Sequence, residues 1–175
     1  MKRILDILGV NANKSHYIVV AQYKRADYGV GAEENFHWAI IILEDINEDA
    51  ALCGPCYQVF DRHFNDERGV EWHLYNKPVT LGRTDKSLGG VVIGTVKQKD
   101  LVELGQILSA HLPIVKFEGW NCRDWVIEAI QLLRVKGWIP TDIKEQASLL
   151  PSLRAASTAS DAARKRGRPQ KIITF

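Results

Sequence analysis

The rhythm of apolar and polar positions changes partway along this chain. Up to about residue 96 the apolar residues come in short alternating or unbroken blocks; after residue 100 they recur every three or four positions. His16-Tyr17-Ile18-Val19-Val20-Ala21-Gln22-Tyr23 is rich in β-branched and aromatic residues and reads as a strand. A polar, Gly-containing loop separates it from His37-Trp38-Ala39-Ile40-Ile41-Ile42-Leu43, whose nearly continuous apolar run fits a strand buried on both faces at the centre of a sheet. An acidic loop, Glu44 to Asp49, follows. Tyr57-Gln58-Val59-Phe60, then Val70-Glu71-Trp72-His73-Leu74-Tyr75, then Gly89-Gly90-Val91-Val92-Ile93-Gly94-Thr95-Val96 complete the strand-rich part.

The second rhythm is helical. Asp100 and Glu103 have capping-box spacing ahead of Leu104, Ile107, Leu108 and Leu112, and Pro113 stops the run. Ile114 to Phe117 is an extended link. Asn121 is a preferred N-cap for a helix whose apolar face is Trp125, Val126, Ala129, Ile130, Leu132 and Leu133, and Gly137 suits the position just past its end. Thr141 to Leu150 reads as a short helix. Ser152 to Ala163 is small and polar with few large apolar residues, as a linker is. Strands followed by packed helices predict an α+β domain over residues 1–150, with a disordered basic tail over 151–175.

Composition narrows the class. A chain of 175 residues, 46% of them hydrophobic, can bury one core. Three cysteines with no regular spacing argue against a secreted disulfide scaffold and for a reducing compartment. The apolar run from Ile4 to Val10 is short and broken by Asp6, unlike a signal-peptide core, and no stretch has the length to span a membrane. The formal charge is only +2, but its basic excess is concentrated in Arg164-Lys165-Arg166-Gly167-Arg168-Pro169-Gln170-Lys171. Arg-Gly-Arg-Pro resembles an AT-hook, whose extended backbone would carry Arg166 and Arg168 into a narrow minor groove. The same residues read as a nuclear-import patch. The expectation is a solvated tail with weak, salt-dependent attraction to DNA, on a protein that is cytoplasmic, nuclear or both.

The candidate chemistry begins at Cys122. A thiol in the first turn of a helix feels the orphan N–H groups and the positive end of the dipole, which favour the thiolate. Its plain alternative is a buried cysteine packing as a small hydrophobe. A nucleophile needs a base and a group that orients the base, and His37, at the start of the central strand, is the candidate base. Without the cysteine motif, His37 would read as a packed strand-end histidine.

These residues carry a resemblance. A histidine opening an early central strand, a polar residue on the next strand and an Asn-Cys pair opening a late helix resemble the circularly permuted papain-like enzymes of the NlpC/P60 clan. That group includes lecithin:retinol acyltransferase-like proteins and permuted deubiquitinase-like peptidases. Phe36-His37-Trp38-Ala39 together with Trp120-Asn121-Cys122-Arg123-Asp124-Trp125 also resembles uncharacterised fungal members of that clan. The resemblance spans residues 16–138 and implies a permuted papain-like fold with Cys122 as nucleophile, His37 as base and Gln58 as the orienting group. The acyltransferases carry a second histidine where this chain has Gln58; an amide carbonyl can still fix the imidazole tautomer, with weaker electrostatic support. His73 and Asp61 remain alternatives for that third position. The implied activity is hydrolysis or acyl transfer on an amide, thioester or ester of a peptide, protein or other acyl substrate, with no cofactor or metal.

Two competing readings use other cysteines. Cys53-Gly54-Pro55-Cys56 has the thioredoxin dithiol sequence, but the residues after it have strand character and no helix follows, so it reads as a turn entering the Gln58 strand. A zinc site from Cys53, Cys56, Cys122 and a histidine lacks a second paired-ligand motif. A non-catalytic nuclear binding protein that uses the basic tail is the alternative from another class.

Overall fold

A computed structural model describes residues 12–47 and 52–175. The apolar run of residues 4–10 and part of the acidic loop lie outside the described residues. Six strands form one mixed sheet: β1 (Ser15–Tyr23), β2 (His37–Leu43), β3 (Cys53–His63), β4 (Val70–Thr80), β5 (Ser87–Lys97) and β6 (Ile172–Thr174), in the order β4-β3-β2-β1-β5-β6. All neighbouring pairs are antiparallel except β5 with β6, which is parallel. Three α-helices follow β5: α1 (Leu101–Ala110), α2 (Cys122–Val135) and α3 (Gln146–Arg164). The protein is therefore α+β, and no described helix is long and apolar enough to cross a membrane.

Strand β2 lies inside the sheet, and both its faces are buried. Trp38, Ile40 and Ile42 join Ile18, Val20 and Val59 in a large core against Trp125, Ile130 and Leu133 of α2. Ala39, Ile41 and Leu43 point the other way, into a smaller cluster with Val19, Ala21, Cys56 and Leu81. Period-two alternation thus sorts one apolar run into two cores. Trp38, Trp120 and Trp125 are all buried, as core residues.

Four expectations are corrected. Cys53-Gly54-Pro55-Cys56 is no turn: these are the first four residues of β3, paired with Thr80, Val79, Pro78 and Lys77 of β4. Gly54 is needed there because a Cβ would lie 1.9 Å from the Ile42 carbonyl oxygen. The Asp100 side chain makes no cap; a 3-10 turn over Gln98–Asp100 leads into α1 instead, and Glu103 pairs with Lys136.

The third correction concerns residues 151–175, which are folded. Leu149, Leu153, Ala156, Ser157, Ser160 and Ala163 form the buried stripe of α3. The small residues let the helix approach β5 closely, where a Cβ on Gly89 (φ +77°) would sit 2.3 Å from the Ser160 hydroxyl. Buried polar groups fasten it. Gln22 Nε2 donates to the Leu153 carbonyl at 2.6 Å, and Arg154 Nε donates to the buried Glu33 carboxylate at 3.0 Å, with Ser157 donating to the same carboxylate. Burial pushes the Glu33 carboxyl up, but the bonds from Ser157, the Gly31 N–H and Arg154 outweigh it and hold its pKa below the usual carboxylate range.

The fourth correction is Arg-Gly-Arg-Pro, which does not run extended. Gly167 has φ +67°, its N–H donates to the Arg164 carbonyl at 2.9 Å, and the Arg168 N–H donates to the Ala163 carbonyl at 3.0 Å. That is the hydrogen-bond pattern of a glycine-capped helix end, with Pro169 placed to stop the helix. Arg166 and Arg168 therefore sit in the cap turn of α3, and the chain goes on to add β6 to the sheet. Pro-Gly-basic composition fits both an AT-hook and a helix stop; the preceding helix decides between them.

Candidate active site

The site is assembled where the β2–β3 ladder ends. Pairing between these strands is confined to Ile40 with Tyr57 and Ile41 with Cys56. Below that point the strands are no longer hydrogen-bonded, and the first turn of α2 reaches the N-terminal end of β2. The Trp38 N–H, left without a ladder partner on that side, donates to the Cys122 sulfur.

Local sequence explains the precision of the helix start. Asn121 Oδ1 accepts from the Arg123 N–H at 3.0 Å, and Asp124 Oδ2 accepts from the Asn121 N–H at 3.0 Å, a complete capping box. Each such cap contributes about 1 kcal/mol. Arg123 is no plain surface charge. It instead donates from Nη1 to the Phe36 carbonyl at 3.1 Å and from Nε to Gln146 Oε1 at 3.0 Å, while Gln146 Nε2 donates to Asp124 Oδ1 at 2.6 Å. The first turn of α2 is thereby tied both to the residue preceding His37 and to the start of α3. A cation at the positive end of a helix dipole is locally unfavourable, and that misfit is the sequence signal that Arg123 has a tertiary partner.

His37, Gln58 and Cys122, from β2, β3 and α2, come together. His37 Nε2 is 2.7 Å from Gln58 Oε1, and His37 and Cys122 are hydrogen-bonded to each other. A carbonyl oxygen only accepts, so Nε2 carries the proton toward Gln58 and Nδ1 is left for the thiol. Burial pulls the imidazole down, yet the bond and charge of Cys122 and the bond to Gln58 outweigh it; its pKa is raised, with the Arg25 guanidinium acting the other way. Burial likewise pushes the Cys122 thiol up. The bond and charge of His37, the Trp38 N–H and the Arg123 guanidinium more than offset it, so the thiol pKa is lowered. Both shifts favour a thiolate–imidazolium pair.

The alternatives for the third position are elsewhere engaged. Asp61 accepts from Arg25 at 2.7 and 2.8 Å and lies 2.9 Å from His63 Nε2. His73 stacks on Phe60, with ring centroids 5.9 Å apart.

A cleft of about 640 Å³ adjoins the site, with His37 and Gln58 in its wall. Tyr23 and Val79 also line it and pack against the smaller core, so it opens on the sheet face away from the helices. Cys122 belongs to the helix-side core and has no exposed surface. His37 therefore stands between the sulfur and the cleft.

The competing cysteine readings lose their geometry. Three residues along a strand span about 10 Å and end on opposite faces, too far for a Cys53–Cys56 disulfide without unravelling β3. Cys53 is exposed, whereas burial pushes the Cys56 thiol up to about 12 despite a hydrogen bond from Tyr23. Cys56 and Cys122 lie in different cores, and no group of three His, Cys, Asp or Glu side chains among the described residues could hold a metal ion.

No curated protein and no solved structure matches this chain. A model of a protein family of unknown function, DUF6914, matches residues 16–147, a span that runs from β1 to the first residues of α3 and includes His37, Gln58 and Cys122. With three quarters of its length matched, the chain belongs to the DUF6914 family.

Proposed function

We propose that this protein is a cysteine-dependent hydrolase or acyltransferase acting on an amide, thioester or ester, with a circularly permuted papain-like arrangement of its catalytic elements. The observation that carries the reading is the placement of His37 between Cys122 and Gln58, with the thiol pKa lowered although the sulfur is buried. Buried thiols without such a partner shift the other way, as Cys56 does. The order of elements, with the histidine strand and the glutamine strand before the cysteine helix, supports the permuted papain-like reading.

In this mechanism the Cys122 thiolate attacks the substrate carbonyl carbon, forming a C–S bond and placing the electron pair on oxygen. The Cys122 N–H, an orphan donor at the helix start, is placed to receive that oxyanion. Collapse expels the amine, alcohol or thiol, which takes its proton from the His37 imidazolium. Neutral His37 then removes a proton from water or another acceptor, which attacks the acyl-enzyme; the C–S bond breaks and the thiolate returns. Gln58 holds Nε2–H throughout, keeping Nδ1 toward sulfur.

Because the sulfur is covered, attack requires a local opening that brings it to the cleft. Reaction with an acyl-directed electrophile, followed by mass-spectrometric mapping, tests the reading. Acylation at Cys122 that disappears in His37→Ala is expected; modification confined to Cys53 refutes it.

A further inference from the structure

The cleft beside His37 has an unbalanced charge. Lys24, Arg25, Arg83 and Lys86 line it, against one carboxylate, Asp61, which Arg25 already engages. Lys24, Arg83 and Lys86 have no acidic partner among the described residues. Asp27 and Asp85, their nearest acidic neighbours in sequence, are exposed and do not line the cleft.

The backbone holds two of these cations together. The Lys24 N–H donates to the Lys86 carbonyl at 2.7 Å, at the end of β1 and the start of β5, next to the Tyr23–Ser87 pair. Like charges on facing strand positions oppose folding. An anion between them would remove that repulsion. Part of the remaining wall is apolar and aromatic, with Tyr23, Phe60, Pro78 and Val79, beside the hydroxyls of Thr80 and Thr84. A volume of 640 Å³ corresponds to about 10 Å across, comparable to the Debye length of about 10 Å at 0.1 M salt, so the cations act jointly on anything inside.

We infer that this cleft is the substrate-recognition site of the proposed enzyme and selects an acyl substrate bearing an anionic group, a carboxylate or a phosphate, beside an apolar or aromatic portion. The inference rests on the Cys122–His37 reading and names its substrate class. Lys24, Lys86 and Arg83 bind the anion, and the Phe60, Pro78 and Val79 surface takes the apolar part. His37 and Gln58, in the same wall, face the scissile carbonyl. Asp61 neutralises Arg25, which leaves the anion site to the three unpaired cations.

The test compares two alkylating probes of similar size and opposite demand, iodoacetate and iodoacetamide, on Cys122 in a Cys53→Ser background. Both displace iodide and form the same kind of S–C bond, and both require the same opening of the site, so their rate ratio isolates charge. Lys24→Glu/Lys86→Glu should lower the iodoacetate-to-iodoacetamide ratio roughly tenfold or more at low salt, in the range typical of electrostatic focusing. Lys24→Gln/Lys86→Gln should give an intermediate ratio, and 0.5 M NaCl should shrink all differences. Glutarate and inorganic phosphate, added as competitors, separate the two anions: protection of Cys122 by one identifies the group selected. A ratio unchanged by charge reversal, or protection by neither anion, overturns the inference while leaving the dyad intact. Failure of both probes to label Cys122 refutes the dyad itself, so the two failures are distinguishable.

Discussion

Replacing His37 with alanine should convert Cys122 from an activated thiol into an inert one, and the chain supplies its own reference for the size of the effect. Cys56 is as buried as Cys122 but has no imidazole beside it, and its thiol is pushed up to about 12. Without His37, Cys122 loses the bond and charge that do most to hold it below the ordinary thiol value and should rise toward that range, with the Trp38 N–H and the Arg123 guanidinium left to limit the rise. Relative to an ordinary thiol near 8.5, a pKa near 12 lowers the thiolate fraction at pH 7 by about 3,000-fold. The more basic thiolate is intrinsically more nucleophilic, and a Brønsted coefficient of about 0.45 recovers roughly 40-fold of this. The net loss is about a hundredfold, an upper limit because the Trp38 N–H and the Arg123 guanidinium stay beside the sulfur and the lost ring opens it to the cleft. The assay is the iodoacetamide rate at Cys122 in a Cys53→Ser background, read by peptide mass spectrometry between pH 5 and 10. In the native protein, labelling should persist below the ordinary thiol range and fade only as acid protonates the thiolate through its lowered pKa. In His37→Ala the rate should keep climbing through pH 9. His73→Ala and His111→Ala should leave the acid limb in place, since neither side chain contacts the pair. A His37→Ala rate within threefold of native at pH 7, or an unmoved acid limb, would refute the reasoning.

Gln58→Ala should cut the same rate by a smaller factor, about three- to tenfold, because it removes one hydrogen bond from the imidazole, worth about 1 kcal/mol, and leaves the base. Gln58→Glu should keep labelling near the native rate at pH 7, because a carboxylate also accepts from Nε2–H and holds the imidazolium, as the same mass-spectrometric assay would show. Truncation after Leu150 should abolish the cooperative urea transition, and Leu153→Ala alone should cost about 2–5 kcal/mol in urea titrations, since its side chain is fully buried under α3. A truncated chain with native far-UV and near-UV circular dichroism would contradict the packing of α3. Diamide treatment should give no Cys53–Cys56 disulfide in the folded protein; its appearance without loss of structure would require β3 to be other than a strand.

Much of the machinery was legible without coordinates because it is written in short-range terms. Period-two blocks marked β1 and β2, and the unbroken Ala39–Leu43 run marked β2 as interior. Asn121 marked the start of α2 through a cap that, with Asp124, needs only four consecutive residues. Each of these depends on the backbone geometry of one element, so nearby residues suffice to specify it. The identities of Cys122 and His37 as nucleophile and base candidates followed from the same motifs and from the family resemblance they carry.

Other features depended on surfaces that no local window contains. Ser152–Ala163 looked too small and polar to pack, and in isolation it is; Gly89 on β5 lets the helix come close enough for Ala156, Ser160 and Ala163 to be buried. Arg-Gly-Arg-Pro could have been an extended DNA-binding segment, and the helix before it made it a cap. Cys-Gly-Pro-Cys became strand because β4 offered it a ladder. The sequence by itself determined β1, β2, the start of α2 and the reactive residue types. Only the tertiary structure decided that the β2–β3 ladder stops at Ile40, freeing the Trp38 N–H and opening the place where His37 meets both Gln58 and Cys122. It also decided that four cations from two distant segments share one cleft. Hydrogen bonding along a strand or helix is a property of neighbours in the chain, whereas ladder termination and charge convergence are properties of neighbours in space.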